Sequence, residues 1–234
     1  MNLFYCPHIA DGLLPEEDSR HAVKVLRMQA GDECVLLDGV GGYHRARITL
    51  PHPSRCAFEI VETIADYGKR NYRLHVAIAP TKNIERFEWF LEKATEIGVD
   101  EITPLLCRHS ERKVIKPERL EKVIIAAAKQ SMKAFFPVLN PLTDFNQLLK
   151  QPLPEARCVA HCHEGEKIYF PTIAAVQKDI LILIGPEGDF STEEVVAATK
   201  AGFIAVSLGE SRLRTETAGV VSCAAVSVVN HLAE

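Results

Sequence analysis

The stretch LILIGPEGDFSTEE, residues 181–194, decides the fold of this chain. Four aliphatics run into the turn Gly185-Pro186-Glu187-Gly188, and Ser191 with Glu194 three positions later has the spacing of a helical capping box. A buried strand therefore ends in a stiffened loop that opens directly into a helix, STEEVVAATKAG, stopped by Gly202. The alternation extends outward. RLHVAIAP (73–80), EITPLL (101–106), RCVAH (157–161) and FIAVSLG (203–209) read as strands, while IERFEWFLEKATEIG (84–98) and PERLEKVIIAAAKQ (117–130) read as helices. In the first helix Ile84, Phe87, Phe90 or Leu91, Ala94 and Ile97 fall at helical spacing, which assigns Phe87, Trp89 and Phe90 to the core, and Gly98 is the stop. Strands alternating with helices imply an α/β class with a parallel sheet covered on both faces.

Residues 1–68 have another texture. ECVLLDG and YHRARITL are joined by Val40-Gly41-Gly42, a hairpin turn rather than a phosphate loop because no helix opens after it, and RCAFEIVETI alternates in sidedness. Several short strands in so few residues suggest a small β-barrel, with ADYGKRNYR (65–73) marking the boundary to a second domain over 69–234. Arg45 and Arg47 share one face of their strand and form a row able to face RNA. Arg20 and the adjoining segment HAVKVLRMQAGD, with His21, Lys24 and Arg27, add to it; a solvated helical turn with Val23 and Leu26 inward explains that group equally well.

Composition sets the limits. The chain is 47% hydrophobic and 25% charged, enough for a core, and its longest apolar runs fall far short of the roughly 20 residues of a membrane span. MNLFYCPHIADG lacks the basic-then-apolar pattern of a secretion signal, and seven cysteines without a CxxC pair suit reduced thiols, so a cytoplasmic protein is expected. The net charge of −4 argues against a nucleic-acid partner for the molecule as a whole. Yet residues 108–133 carry eight basic and three acidic side chains, a local face for phosphates or else a solvated helix surface.

The loop at 185–188 lacks the lysine and hydroxyl of a phosphate-binding loop and is not GxGxxG. Its glycines allow close backbone approach and Glu187 offers an acceptor, which suits a neutral or cationic ligand with amine and ribose groups. A second glycine turn follows the next strand at Gly209, with Arg212, Arg214, Thr215, Glu216 and Thr217 leading into a helix that Thr215 would cap. Two such turns after successive strands form one cleft. The cluster CVAHCH (158–163) lacks a second group of ligands at zinc spacing, so no metal is expected, and Cys162 and Cys223 are assigned to the core.

IGPEGDFSTEE followed by LGESRLRTETA resembles the RsmE family of ribosomal RNA methyltransferases in the SPOUT superfamily, and HAVKVLR, GDECVLLDG, FLEKATEIGVDEITPL and AAKQSMKAFFP extend the resemblance over nearly the whole chain. The resemblance implies an N-terminal PUA-like β-barrel for RNA, a C-terminal SPOUT α/β domain with a deep trefoil knot binding S-adenosyl-L-methionine, a homodimer, and methylation of uridine N3 in 16S ribosomal RNA of the small subunit. It implies three loops around the donor, 161–165, 185–189 and 208–213, and so assigns His161, Gly165, Gly185, Pro186, Glu187, Gly188, Leu208, Gly209, Leu213, Thr217 and Ala218 to donor binding. Adenine would lie on backbone and aliphatic groups of the last two loops. Arg214 would stabilise charge on the pyrimidine oxygens, with Arg212 as phosphate clamp or understudy. Glu216, Glu187 or bulk water would take the proton. Arg108, Lys129, Gln130 and Lys133 join the RNA-facing set. The family commonly has glycine where Asp189 stands, and an acidic residue where Lys129 stands. Two other functions remain open: a non-catalytic RNA-binding protein, or a ribose 2′-O methyltransferase.

Overall fold

The computed structural model describes residues 2–176 and 178–232, and the chain divides into two units: Met1–Lys69 with Ile125–Phe136, and Arg70–Ile124 with Pro137–Glu234. Residues 125–136 thus belong with the N-terminal part, beyond the 1–68 range read from sequence.

In the first unit β1 (Asn2–Tyr5), α1 (Glu16–Arg20), β2 (Glu33–Leu37), β3 (Tyr43–Leu50) and β4 (Ala57–Ile64) include a four-stranded sheet in the order β1-β2-β3-β4. The first pair is parallel and the others antiparallel. β2 is apolar at successive positions because both its faces are covered. Cys34 and Leu36 enter a core with Phe4, Met28, Ile48 and Phe58, whereas Val35 and Leu37 meet Tyr43 and Ala134. Gly41 permits the closest approach there: its φ is +109°, and an added Cβ would stand 2.3 Å from the Phe135 ring. After α1 a π-turn over His21–Val25 directs Ala22 into the core, so Leu26 is exposed rather than inward as its spacing suggests.

The second unit contains β5 (Arg73–Ile78), α2 (Ile84–Ile97), β6 (Glu101–Leu106), α3 (Pro117–Gln130, shared with the first unit), β7 (Val138–Leu139), β8 (Thr143–Asp144), α4 (Phe145–Leu148), β9 (Ala156–Ala160), β10 (Ile168–Tyr169), α5 (Phe170–Ala174), β11 (Asp179–Ile184), α6 (Thr192–Lys200), β12 (Ile204–Ser207) and α7 (Thr215–His231). The strands pair in the order β10-β12-β9-β11-β5-β6-β7, with β8 also on β6, and these pairings are parallel. β11 enters between β5 and β9, strands laid down earlier in the chain.

The LILI run is explained by this position. Ile180, Ile182 and Ile184 pack into a core with Phe87 and Phe90 of α2 and Cys223 and Val226 of α7. Leu181 and Leu183 point the other way, to Phe145, Leu148, Phe190 and Ala198. Alternate side chains of one strand thus serve two hydrophobic layers. On α2 Phe87, Phe90, Leu91 and Ala94 are fully buried, but Trp89 is 43% exposed, which corrects its assignment to the core. At about 100° per residue, position 89 falls outside the apolar stripe.

Candidate active site

The carboxyl ends of β9, β11 and β12 open on one side of the sheet, where loops escape the ladder and ligands collect in folds of this kind. Segments 160–162, 184–187 and 206–216 line a cavity of about 780 Å³ together with Arg86, Lys167, Asp189 and Ala218. That volume suits a ligand of nucleoside size.

The middle loop is built by its own backbone. The Pro186 carbonyl accepts the Asp189 N–H at 2.9 Å, closing the turn. Space is tight at Gly185: a Cβ there would stand 3.1 Å from the Phe190 ring and 3.2 Å from the Phe190 nitrogen. Thr215 Oγ1 donates to the Gly185 carbonyl at 3.1 Å and ties α7 to the turn. Thr215 therefore does not cap α7 as its position suggests; Arg214 is the N-cap residue and makes no side-chain cap bond. Glu187 Oε1 accepts the Lys82 N–H at 2.9 Å, while Arg112 donates to the carbonyls of Thr81 and Lys82 at 3.0 and 2.6 Å. This carboxylate anchors the loop to the β5–α2 connection. Ser191 caps α6 with both bonds of the capping box in place.

Of the residues assigned to donor binding, His161, Gly185, Pro186, Glu187, Leu208, Gly209, Leu213 and Ala218 line the cavity. Gly165, Gly188 and Thr217 are not among its lining residues. Gly188 instead borders an adjacent cavity of about 440 Å³, where a Cβ would stand 3.2 Å from His109 Cβ. Burial, then the charge of Lys167, holds His161 below the ordinary imidazole range, so its ring is neutral at neutral pH. Its Nδ1 is buried without a partner.

Arg212, Arg214 and Glu216 meet at the same cavity. Glu216 is 7% exposed, and its Oε2 has no hydrogen-bond partner. Its Oε1 is 4.0 Å from Arg86 Nε. Sequence reading missed Arg86. A signal existed: Arg86 is one turn before Phe90, so it extends the buried stripe of α2 with a charge. Gly219 allows the contact, because α7 packs so closely on α2 that a Cβ at 219 would stand 2.5 Å from the Phe90 ring.

The residues assigned to RNA are scattered in their circumstances. Arg45 pairs with Glu33 and Glu62 at 3.1 and 3.2 Å, and Arg47 with Glu33 and Glu59 at 3.4 and 3.5 Å. Three carboxylates thus neutralise the two-arginine row. Arg20 pairs with Glu16, Arg108 with Glu193, and Lys129 with Asp18 in the first unit at 3.1 Å. His21, Lys24, Arg27 and Gln130 are exposed, and Lys133 is half-buried.

Cys158 and Cys223 are buried, and burial pushes both thiols up to about 12. Cys162, expected in the core, is exposed at the cavity instead. It follows β9, where the strand's alternation no longer directs the side chain inward. In the native protein a disulfide reagent such as dithiobis-nitrobenzoate is expected to modify one thiol rapidly, and Cys162→Ser to abolish that phase. A fast phase surviving the substitution would contradict the burial of the other six.

The chain matches the family described as RNA methyltransferase domain over residues 68–227 and that described as RNA methyltransferase PUA domain over residues 14–61. It is 32% identical over 219 residues to Ribosomal RNA small subunit methyltransferase E of Synechocystis sp., a match covering 88% of this chain and 69% of that protein. The corresponding protein of Bacillus subtilis is 26% identical, with 92% and 89% covered. Among solved structures, a probable rRNA-methyltransferase from Porphyromonas gingivalis is 43% identical with a TM-score of 0.93 and full coverage of both chains. Ribosomal RNA small subunit methyltransferase E from Neisseria gonorrhoeae, bound to S-adenosyl methionine, is 27% identical with a TM-score of 0.83 and 97% of each chain covered. From the strands that frame the cleft to the helix that carries Glu216, the chain belongs to the RNA methyltransferase family, and its N-terminal part matches the PUA domain of such enzymes.

Proposed function

We propose that this protein transfers the methyl group of S-adenosylmethionine to N3 of a uridine in small-subunit ribosomal RNA. The cavity suits the donor. His161 Nδ1 is a buried polar atom awaiting a partner, the His161 ring is neutral and does not repel a cation, and at Gly209, with φ +132°, no atom lies within 4 Å of an added Cβ. His161, Gly185, Pro186, Leu208 and Leu213 would hold it. When bound, the donor supplies an electrophilic methyl on a sulfonium.

The observation that carries the chemistry is the orphaned Oε2 of Glu216. A buried carboxylate oxygen without a partner is costly and calls for a donor from outside the chain; the N3–H of uracil is one. Glu216 takes that proton, the freed nitrogen lone pair accepts the methyl carbon, and the carbon–sulfur bonding pair remains on sulfur. Arg214 stabilises the negative charge that proton loss leaves on the uracil oxygens. Arg86 orients Glu216, and Arg212 meets a phosphate. Lys24 and Arg27, exposed and without an acidic partner among the described residues, are better suited to RNA than the neutralised Arg45 row. That neutralisation also weakens the reading as a purely RNA-binding protein.

The test is methyl transfer from labelled donor to small ribosomal subunits of a strain lacking this gene, followed by mass spectrometry of the nucleosides. A 3-methyluridine peak is expected; transfer to a ribose or to another base atom would overturn the assignment. A homodimer is the assembly this reading expects, since α2 and α7 expose Trp89 and Val228, apolar surface that a second copy would cover. Light scattering should give twice the chain mass.

A further inference from the structure

The turn at 186–189 ends on Asp189. Its φ is +63°, a left-handed conformation that glycine adopts without steric cost and that an L side chain adopts at a cost. The side chain must therefore supply something that glycine lacks. Both its oxygens are engaged: Oδ1 accepts the Phe190 N–H at 2.8 Å, and Oδ2 accepts the Cys162 N–H at 2.8 Å. The second bond joins the loop after β9 to the loop after β11.

Neighbouring side chains reinforce this junction. His163 donates from Nε2 to the Phe190 carbonyl at 2.7 Å, and the same nitrogen is 3.9 Å from Asp189 Oδ2. His109 donates from Nδ1 to the carbonyls of Gly188 and Asp189 at 3.2 and 3.1 Å. Asp189 lines the larger cavity as well as the smaller one.

We infer that Asp189 is a positioning residue whose carboxylate clamps the 161–162 segment to the 185–189 turn, so that two walls of the donor cleft are assembled before the ligand arrives. This rests on the cleft being the donor site, as proposed above. A loop already held in its bound shape pays less ordering entropy on binding, so the clamp acts on affinity for the donor rather than on the transfer step.

Asp189→Gly is the informative variant, because it relaxes the backbone while deleting the clamp. In the ligand-free protein, amide exchange at Cys162 should accelerate roughly tenfold or more, the scale of losing a hydrogen bond to a charged acceptor. The KM for S-adenosylmethionine should rise by a similar, roughly tenfold factor while kcat changes far less. Asp189→Asn, which tolerates the left-handed backbone but keeps one acceptor oxygen, should fall between. Unchanged exchange at Cys162 overturns the clamp. An unchanged KM, or kcat and KM worsening together with a lowered Tm, overturns the role in donor binding. A wild-type protein that binds no donor would defeat the proposed function instead, and the exchange measurement would still decide the clamp.

Discussion

Glu216→Gln is expected to lower turnover on small ribosomal subunits by about 10²- to 10⁴-fold, the range for removing a positioned general base, with S-adenosylmethionine affinity nearly unchanged. The variant keeps the shape and polarity of a wall residue that is 93% buried by its 7% exposure, but glutamine cannot accept the uracil proton. The amide would present an N–H₂ or a carbonyl to Arg86, now 4.0 Å from Oε1, so the pairing that orients the side chain weakens too. Arg214→Ala should cost roughly 10²- to 10³-fold in kcat, as for the loss of a donor to a developing oxyanion. Calorimetry of donor binding alongside single-turnover transfer separates the two effects. Equal losses in affinity and rate would make Glu216 a binding residue and sink the reading of its orphaned oxygen.

Gly219→Ala should lower Tm by up to roughly 12 °C, from an overpacking cost of about 1–3 kcal/mol at about 2–4 °C per kcal/mol. Helix propensity opposes this, since alanine in a helix is favoured over glycine by about 1 kcal/mol. Space decides the sign. The new Cβ would stand 2.5 Å from the Phe90 ring and 3.0 Å from Ile78 Cδ1, and Phe90 is fully buried and cannot swing aside. Separation of α2 from α7 would also draw Arg86 away from Glu216, so activity should fall more than the lost stability explains. Phe90→Leu vacates part of the contested space, and the double variant should recover stability relative to the sum of the singles. A Gly219→Ala protein as stable as its parent would show that the helices do not depend on this contact.

Much of the second unit was legible because its signals are local. The ends of β6 and α3 coincide with EITPLL and PERLEKVIIAAAKQ, Gly98 ends α2, and the capping box at Ser191 is formed as spaced. Errors arose where contacts far apart in sequence decide the outcome. Thr215 bonds to Gly185, thirty residues earlier, and so leaves the cap to Arg214, and Cys162 turns outward at the end of β9. Trp89 was misread by residue type, since one position of rotation separates it from Phe90. Arg45 and Arg47 do share a face, as strand alternation requires, but the carboxylates opposite them come from β2 and β4. The cross-strand partners of a charge are set by register, and register is not written in one strand alone.

The position of β11 has a consequence for biosynthesis. Until residues 179–184 leave the ribosome, β5 and β9 are two apolar parallel strands with unpaired edges, because the strand that pairs with both has not been made. Such edges are templates for association with other chains, and pairing across so long a stretch of sequence is slow. Nascent chains stalled before β11 should therefore be chaperone clients prone to aggregation.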